Sequence, residues 1–432
     1  MPCGRDYVLE TSDLMVGNPP RLLSLNTYHY RRGGTDAVYF DHNSLFQEAG
    51  WEVGVFAMSH PKNEESKWNR YFVDEIELGE DYGFWDKLTK AGKIIYSIEA
   101  RRKLGKLLDE WRPDIVHAHN IYHHLSPSPL DELRKREIPV VLTAHDFKLV
   151  CPAYKMLNRN GICEKCKTGN LLNVVRHRCI HDNQILSMLV MTESTVHRAL
   201  GIYKKGLTKV ITPSLFMRNK LTEWGWDKNK LRHAPNFVDS KNYTPNYTPG
   251  DYFLYFGRMS NEKGIDLLIS AADKAGVSVK LAGVGPAMHD LKILSKDKIL
   301  TAVEFMGYCA GEKLHSLIRN ARAVVLPARW YENAPISIME AYALGKIVIG
   351  ARIGGIPEMV TENETGYLFE PENIEQLYHL LQRVKDMEND EIVKMGIAGR
   401  NLVEQYFSPS NYLHNMLTIY EEIGVKKVAE HQ

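Results

Sequence analysis

The chain has 432 residues, of which 44% are hydrophobic and 25% are charged, and its formal net charge is +1. These proportions are typical of a globular protein of two or three domains, and the small net charge argues against a dedicated nucleic-acid binder. No apolar run reaches the roughly 20 residues of a bilayer-spanning helix. Residues 1–20 lack the apolar core of a secretory signal. We therefore expect a cytoplasmic protein whose residues 1–20 form a disordered extension.

Short apolar runs alternate with helical patterns along the chain, which predicts parallel α/β sheets. In the first half, strands are predicted near 21–26, 53–58, 114–119, 139–144 and 209–212, with helices at 36–48, 93–110, 184–200 and 216–224. Residues 240–250 contain two prolines, a glycine and few apolar side chains, which is typical of a linker. A second α/β unit follows, with strands near 252–256, 277–282, 302–306, 322–327 and 347–349 and helices near 264–275, 286–295, 311–319, 335–344, 373–385, 390–405 and 409–423. We therefore predict one domain over 21–240 and a second over 250–408.

Two glutamates, Glu332 and Glu340, stand eight residues apart where a predicted strand passes into a helix. Eight residues are just over two helical turns. A helix N-terminus presents free N–H groups that suit a diphosphate. One carboxylate could then meet sugar hydroxyls while the other accepts a ribose hydroxyl. Taken alone, the spacing favours two solvated glutamates on an amphipathic helix. The neighbouring motifs therefore decide whether the two residues are interpreted as a binding site.

Glycine-containing loops follow the predicted strands of the second unit. Arg258 and Lys263 lie on the loop after its first strand, at the carboxyl edge where parallel sheets bind ligands. Two such cations can neutralise phosphates and the charge that develops on a leaving group. Gly283 and Gly307 also follow strands, so four candidate elements occur in order between residues 257 and 340.

This ordered set resembles glycosyltransferase family 4, whose members are retaining enzymes of the GT-B fold. The matching stretches are residues 256–264, 281–286, 305–307, 326–345, 354–358 and 365–368. The first half matches more loosely, through Gly33-Gly34 and His145-Asp146. The resemblance implies two Rossmann-like, doubly wound domains that face a cleft, with the acceptor on the first domain and the donor on the second. It also implies that the segment 409–432 crosses back to the first domain.

The resemblance implies a role for each matched residue of the second domain. Arg258 and Lys263 would hold the donor diphosphate, and Glu340 would bind the nucleotide ribose. Glu332 would contact the donor sugar and support its developing positive charge as a catalytic residue. Further donor contacts are expected at Gly283, Gly307, Asn333, Ala334 and Ile336. The run Asn333-Ala334-Pro335 departs from the Gly-Phe-Pro of many relatives, which leaves the identity of the sugar open.

In the first domain, the resemblance implies that Gly33 and Gly34 let their loop close over the diphosphate. His145 would approach the transferred sugar as a catalytic residue, and a strand-end histidine with a purely structural role is the alternative. Asp146 would lie on the acceptor side. We interpret His117 and His119, which sit in and at the end of an apolar strand, as structural.

The implied reaction transfers a sugar from a nucleoside-diphosphate donor, UDP- or GDP-linked, to a glycan or polyprenyl-linked acceptor, in cell-surface polysaccharide or glycolipid synthesis. It would use no protein nucleophile and require no cofactor, and the chain has no obvious Asp-x-Asp metal motif. Peripheral contact with the inner membrane face is compatible with such an acceptor. The alternatives are a non-catalytic sugar-nucleotide-binding subunit and a sugar-nucleotide epimerase of the same fold.

Four of the six cysteines, Cys151, Cys163, Cys166 and Cys179, cluster with the spacing C-x11-C-x2-C-x12-C. Such a set can hold a structural zinc ion; free thiols are the main competing interpretation, and a disulfide or an iron–sulfur cluster is a further alternative. A reducing cytoplasm disfavours disulfides. We predict that 151–181 is an insertion on the acceptor side. For the apolar residues at the start of helix 184–200, core packing is favoured over an acceptor groove.

Overall fold

A computed structural model describes residues 18–75, 92–122, 124–297 and 303–425. The predicted extension 1–20 therefore lies outside the described residues except for 18–20. Residues 426–432 of the predicted C-terminal segment also lie outside them.

The first half folds into a six-stranded sheet in which all neighbouring strands are parallel. Its strands and one inserted hairpin are β1 (Arg21–Leu25), β2 (Glu52–Phe56), β3 (Ile115–Ala118), β4 (Val140–Thr143), the hairpin β5 (Leu157–Asn158) and β6 (Gly161–Ile162), β7 (Lys209–Thr212) and β8 (Leu231–His233). The sheet order is β2-β1-β3-β4-β7-β8. Strands β3 and β4 are buried along their whole length, as expected for parallel strands covered by helices on both faces.

Helices connect these strands. They are α1 (Gly34–Glu48), α2 (Ile98–Glu110), α3 (Ser128–Lys135), α4 (Leu172–Arg176), α5 (Gln184–Leu200), α6 (Ile202–Gly206) and α7 (Leu215–Glu223). Helix α5 begins at an N-cap, Asn183, whose side chain accepts the N–H of Leu186, and ends at Gly201 in the left-handed conformation.

The second half forms another six-stranded parallel sheet, in the order β11-β10-β9-β12-β13-β14. Its strands are β9 (Tyr252–Phe256), β10 (Ser278–Ala282), β11 (Val303–Gly307), β12 (Ala323–Leu326), β13 (Ile347–Ala351) and β14 (Gly366–Phe369). Its helices are α8 (Ile265–Ala275), α9 (Met288–Asp297), α10 (Gly311–Arg319), α11 (Ile336–Ala343), α12 (Ile356–Met359), α13 (Ile374–Asp386), α14 (Asn389–Tyr406) and α15 (Pro409–Glu421). The strand order reverses between β9 and β12, and open α/β sheets bind ligands at such a reversal. The predicted doubly wound α/β architecture is confirmed.

Helix α15 packs on the first sheet, although it follows the second sheet in sequence. Tyr412, Met416 and Tyr420 share an apolar cluster with Leu22 and Ile115. Within the described ranges, no helix has both the length and the apolar character to cross a membrane.

The favoured interpretation of the start of helix 184–200 is wrong for most of its apolar residues. Ile185 is 79% exposed and Met188 is 50% exposed, whereas Val190 is buried. Helix α5 instead turns polar residues inward, because Glu193 forms a buried ion pair of 2.7 Å with Lys148.

Candidate active site

The loops after β9 and β12 meet at the reversal of strand order in the second sheet. Lys263 ends a short 3-10 turn after β9, and its Nζ lies 2.6 Å from Oε1 of Glu332 on the loop after β12. Trp330 Nε1 donates a hydrogen bond of 2.8 Å to the same oxygen. Gly264 lets the two loops touch, because it has a φ of +67° and a Cβ there would lie 1.9 Å from the Pro327 carbonyl oxygen. Lys263, which the sequence predicts to bind the diphosphate, and Glu332, which it predicts to contact the sugar, therefore form an ion pair with each other.

Arg258 is exposed on the same loop. Among the described residues, no carboxylate pairs with its guanidinium, and its backbone carbonyl accepts a hydrogen bond of 2.8 Å from Tyr255 Oη. The site thus has one cation bound to a carboxylate, Lys263, and one that remains available to a ligand.

The glycines after β9, β10 and β11 pack the loop backbones against each other. Gly283 has a φ of +145°, and a Cβ on it would lie 1.9 Å from the carbonyl oxygen of Gly257. Its N–H donates to the carbonyl of Gly307 at 2.7 Å. Gly283 is therefore required by loop packing whether or not a ligand also approaches it, while Gly307 has open space around its Cβ position.

The Gly33-Gly34 loop of the first domain faces the second domain. Gly33 caps helix α1, and a Cβ on Gly34 would lie 3.6 Å from Cδ1 of Ile336, the first residue of α11. The N-termini of α1 and α11 therefore approach each other across the cleft, and both present partial positive charge. Gly33 has an extended φ of −168°, so its backbone does not need glycine.

Asn333 bridges the two domains. Its Nδ2 donates a hydrogen bond of 2.9 Å to the carbonyl of Ala144, and its Oδ1 accepts one of 2.7 Å from Ser214 Oγ. Gly355 supports the same loop, since its N–H donates to the carbonyl of Glu332 at 2.7 Å. Ser214 went unnoticed in the sequence because a serine after a strand is an ordinary helix cap, which it also is here.

Glu340 lies half-buried on α11. Burial, and after it the neighbouring charge of Asp41 on α1, together raise its pKa to about 7. Asp41 is itself paired with Arg31 at 2.7 Å. Unlike Glu332, Glu340 has no cation to offset its charge among the described residues.

His145 follows β4 and turns its ring toward the sheet interior. Its Nε2 lies 3.1 Å from Nδ1 of His119, and the two rings stack with centroids 5.3 Å apart. Burial lowers the pKa of His145 to about 4, so its ring is neutral near pH 7. Asp146 Oδ1 accepts the N–H of Lys148 at 2.9 Å, which holds the turn after β4, and burial raises the pKa of Asp146 to about 6.

A buried histidine group continues from this pair. In the described part of the chain, His42, His117 and His119 form a group whose ligand atoms all lie within 4.8 Å of one another. The geometry does not suit a metal, because both nitrogens of His117 are already bonded, to Tyr420 Oη at 2.5 Å and to Thr143 Oγ1 at 2.7 Å. The rings of His117 and His119 are also stacked within 18° of parallel, so they do not converge on one point. These contacts support the structural interpretation of both residues.

The four clustered cysteines are free thiols in the described structure. Cys151 and Cys166 are buried, and Cys163 and Cys179 are half-buried. Unlike the three histidines, these four described residues include no set of three sulfur atoms within 4.8 Å of one another. The zinc site stays a prediction.

Two family models match the chain. Residues 32–242 match the model "Glycosyltransferase Family 4", and residues 239–402 match "Glycosyl transferases group 1". Among curated relatives, an uncharacterized 42.6 kDa protein in the cps region of Klebsiella pneumoniae is 25% identical over 78% of this chain and 87% of its own length. Glycogen synthase of Mycobacterium tuberculosis is 27% identical over 72% of this chain and 69% of its own length.

Solved structures share the fold. Sucrose-phosphate synthase from Thermosynechococcus elongatus superposes with a TM-score of 0.69 at 18% identity, covering 94% of this chain and 99% of its own. Anabaena Alr3699/HepE in complex with UDP superposes with a TM-score of 0.66 at 15% identity, covering 93% of this chain and 100% of its own. The GT-B fold is thus confirmed. The family matches run in sequence from residue 32 to residue 402, and the chain belongs to glycosyltransferase family 4, with a group 1 glycosyltransferase region in its second half.

Proposed function

We propose that this glycosyltransferase moves a sugar from a nucleoside-diphosphate donor to an acceptor hydroxyl with retention of the anomeric configuration. The observation that carries the proposal is the Lys263–Glu332 pair of 2.6 Å at the reversal of strand order. Beside it stand the unpaired cation Arg258 and, across the cleft, the facing N-termini of α1 and α11.

The pair supplies both halves of a donor site. A donor diphosphate would compete with Glu332 for the ammonium of Lys263, and the released carboxylate could then accept hydroxyl hydrogen bonds from the sugar. Glu332 is only 7% exposed, so these interactions act in a medium where charge is weakly screened. Arg258, Lys263 and the two helix N-termini supply positive charge where the leaving diphosphate develops its own negative charge.

Retention follows from same-face attack. The bond between the anomeric carbon and the phosphate oxygen breaks, the acceptor oxygen bonds to that carbon on the same face, and the acceptor proton passes to the departing phosphate oxygen. With the donor bound, Glu332 accepts hydrogen bonds from the sugar hydroxyls and from Trp330, and Nε2 of the neutral His145 is bonded to His119. The phosphate itself is then the base at hand, while positioning and electrostatics lower the barrier.

The donor we propose is UDP- or GDP-linked, and uridine nucleotides are the first to test. HepE, which shares the fold, is described in complexes with UDP and with UDP-glucose. The matched relatives include a protein of a cps region and a putative colanic acid biosynthesis glycosyltransferase, WcaL, of Escherichia coli. These names support a role in polysaccharide synthesis, and the acceptor we propose is a glycan or a polyprenyl-linked sugar in cell-surface polysaccharide or glycolipid synthesis.

Calorimetric titration with UDP, GDP and ADP tests the donor site. We expect Arg258→Ala to leave the melting temperature unchanged, since the side chain is exposed and unpaired, and to weaken the preferred nucleotide roughly tenfold or more. Lys263→Ala should lower both affinity and melting temperature, because it leaves the buried carboxylate of Glu332 without its cation. Arg102→Ala is the matched control, as Arg102 is an exposed arginine on α2.

Equal affinity of Arg258→Ala, Arg102→Ala and the wild type for every nucleotide would contradict the donor site. Turnover separates the remaining alternatives. Release of nucleoside diphosphate from its sugar is expected of a transferase, and NMR of the first-formed sugar anomer should show retention. Binding without release would favour the non-catalytic subunit, and conversion of one sugar nucleotide into its epimer would favour the epimerase.

A further inference from the structure

The insertion 151–181 reaches across the cleft to both loops of the candidate donor site. Lys155 Nζ lies 3.0 Å from Oε1 of Glu262, the residue before Lys263. Glu164 Oε1 accepts a hydrogen bond of 3.0 Å from the hydroxyl of Tyr331, the residue before Glu332. The insertion therefore contacts the immediate neighbours of both partners in the Lys263–Glu332 pair.

These contacts depend on a unit that has little core of its own. Its separate apolar cluster contains only Cys166, Leu171 and Val174 as buried members. Its strands β5 and β6 have two residues each, and α4 has five. Units of this size bury too little apolar surface to hold one conformation and are usually stabilised by disulfides or a metal ion.

The four cysteines come from separate turns of this unit. Cys151 N donates to the carbonyl of Phe147, Cys163 N donates to Met156 at the exit of the hairpin, and Cys179 N donates to Val174 after α4. Cys166 lies in the turn closed by the bond from Gly169 N to its carbonyl.

Cys179 links the two ends of the cysteine set. It packs against the cluster that contains Cys166 and also against the main cluster of the first domain, which contains Cys151. The four thiols also influence each other electrostatically. Burial, and after it the negative charges that Cys151, Cys179 and Cys163 would carry, raise the pKa of Cys166 to about 12. Without a cation, the thiol of Cys166 therefore stays protonated near pH 7.

We propose that Cys151, Cys163, Cys166 and Cys179 bind one structural Zn²⁺ ion, which holds the insertion so that Lys155 and Glu164 position the two donor loops. Zinc takes four thiolates at about 2.3 Å in a tetrahedron, which places the sulfur atoms about 3.8 Å apart. The sulfur atoms must therefore draw closer than they stand here, since no three of these described thiols lie within 4.8 Å of one another.

Binding converts four thiols into four thiolates and releases four protons. The resulting tetrathiolate has a net charge of −2, and the guanidinium of Arg198, which interacts with both Cys166 and Cys151, offsets part of it. Arg198 is fixed in place by its bond of 2.6 Å to the carbonyl of Val150. His177 is not needed as a ligand, since its Nε2 lies 3.1 Å from Lys165 Nζ.

Metal content tests the site without reference to turnover. The full-length chain, purified under reducing conditions without a metal-affinity tag and incubated with Zn²⁺ before gel filtration, should contain one zinc per chain. Cys163→Ser and Cys166→Ser should each lower the content at least several-fold. Cys309→Ser is the matched control, because Cys309 is a half-buried free thiol of the second domain, and it should leave the content unchanged.

Co²⁺ substitution gives a second readout, since tetrathiolate cobalt absorbs strongly in the visible range and thiol-free sites do not. Less than a tenth of an equivalent of zinc in the wild type, with six thiols titrated after denaturation, would overturn the site. Zinc-free protein with fewer than six titratable thiols would overturn it in favour of a disulfide.

The positioning part rests on the proposed function and has its own variants. Glu164→Gln weakens the contacts to Tyr331 and to Lys220, which lies 2.8 Å away, and should retain zinc while weakening nucleotide binding roughly fivefold or more. Asp182→Asn is the control, because it loses only the exposed pair with Arg159 inside the first domain. Equal nucleotide affinity of Glu164→Gln and Asp182→Asn would overturn the positioning role, and failure of the wild type to bind any nucleotide would instead refute the proposed function.

Discussion

The two carboxylates of the candidate donor site have different electrostatic surroundings. Glu332 is paired with Lys263, whereas Glu340 is half-buried near the charge of Asp41 and has its pKa raised to about 7. If Glu340 binds ribose hydroxyls as a carboxylate, a proton on it competes with the nucleotide. We expect the affinity for the preferred nucleoside diphosphate to fall as pH decreases below 7, by up to about tenfold per pH unit for one linked proton.

Isothermal titration between pH 8 and pH 6 measures this dependence. Glu340→Gln should bind more weakly at pH 8 and lose that part of the pH dependence, because its side chain does not titrate. The nucleotide itself also titrates, but it does so equally with both proteins. The difference between the two pH profiles therefore reports the titration of Glu340. Parallel pH profiles of wild type and variant would contradict the assignment of Glu340.

At the residue scale, the sequence predicts which side chains lie at the carboxyl edge but not how they pair. Arg258, Lys263 and Glu332 could be placed there because each follows a strand. The bond between Lys263 and Glu332 depends on β9 and β12 being neighbours, and strand order cannot be read from local periodicity. For the same reason the bridge from Asn333 to the first domain had no sequence signal.

At the scale of elements, strands rich in apolar residues were predicted within two residues of their bounds, and β7 and β9 matched fully. Of the strands in the two six-stranded sheets, β8 and β14 were missed. The first is three residues long and includes Arg232 and His233, and the second has four residues and begins with glycine, so neither gives a clear apolar run. For helix α5 the prediction was wrong in a different way. Its apolar residues were assigned to the core, but most of the residues that the helix buries are polar, including Glu193 in its ion pair with Lys148.

The exposed start of α5 leads to a prediction about the membrane. Ile185 and Met188 of α5 and Leu172 of α4, which is 54% exposed, are exposed apolar residues on two helices that pack together, and the exposed cations Arg176 and Arg178 lie at the end of α4 and just after it. Apolar side chains beside basic ones favour an anionic lipid surface. We expect the chain to co-sediment with vesicles of anionic phospholipid, and the double variant Ile185→Gln/Met188→Gln to reduce the bound fraction about tenfold.

Ile397→Gln is the control for this experiment, because Ile397 is 41% exposed on α14 of the second domain. Neutral vesicles should bind less protein than anionic ones. Equal sedimentation of the double variant and the control would count against docking through α5.

At the scale of the whole molecule, α15 completes the first domain from the far end of the chain. Tyr412 Oη bonds to Nδ1 of His42 at 3.0 Å, and Tyr420 Oη bonds to Nδ1 of His117. Glu422, just after the helix, pairs with Arg232 at 2.7 Å. His42, His117, His119 and His145 form a histidine stack in the first domain. Two of its members, His42 and His117, have their tyrosine partners only when α15 packs on that domain.

Burial of this stack predicts loss of stability in acid. The pKa values of His42, His117 and His119 are lowered well below 6.5 by burial, and that of His145 is lowered to about 4. The folded chain keeps these rings neutral, while the unfolded chain binds protons below about pH 6.5. Their contribution to stability is therefore fully present above that pH and is lost as the pH falls. Each histidine adds up to about 1.4 kcal/mol per pH unit to the decline in the free energy of unfolding.

Two carboxylates oppose this trend. The pKa values of Glu340 and Asp146 are raised to about 7 and about 6, so both groups bind protons at a higher pH in the folded chain than in the unfolded chain. Their contribution to the free energy of unfolding therefore increases as the pH falls. Four histidines outweigh two carboxylates below pH 6.5. We therefore expect a net decrease in the free energy of unfolding between pH 6.5 and pH 5.5.

Urea unfolding followed by tryptophan fluorescence measures the decline, because six of the seven tryptophans lie before residue 240. His42→Gln removes one member of the stack and should reduce the slope by about one proton, or about 1.4 kcal/mol per pH unit. His414→Gln is the matched control, since His414 is exposed on α15, and it should keep the wild-type slope. A wild-type stability that stays constant or rises from pH 6.5 to 5.5 would mean that the stack does not remain neutral in the folded protein.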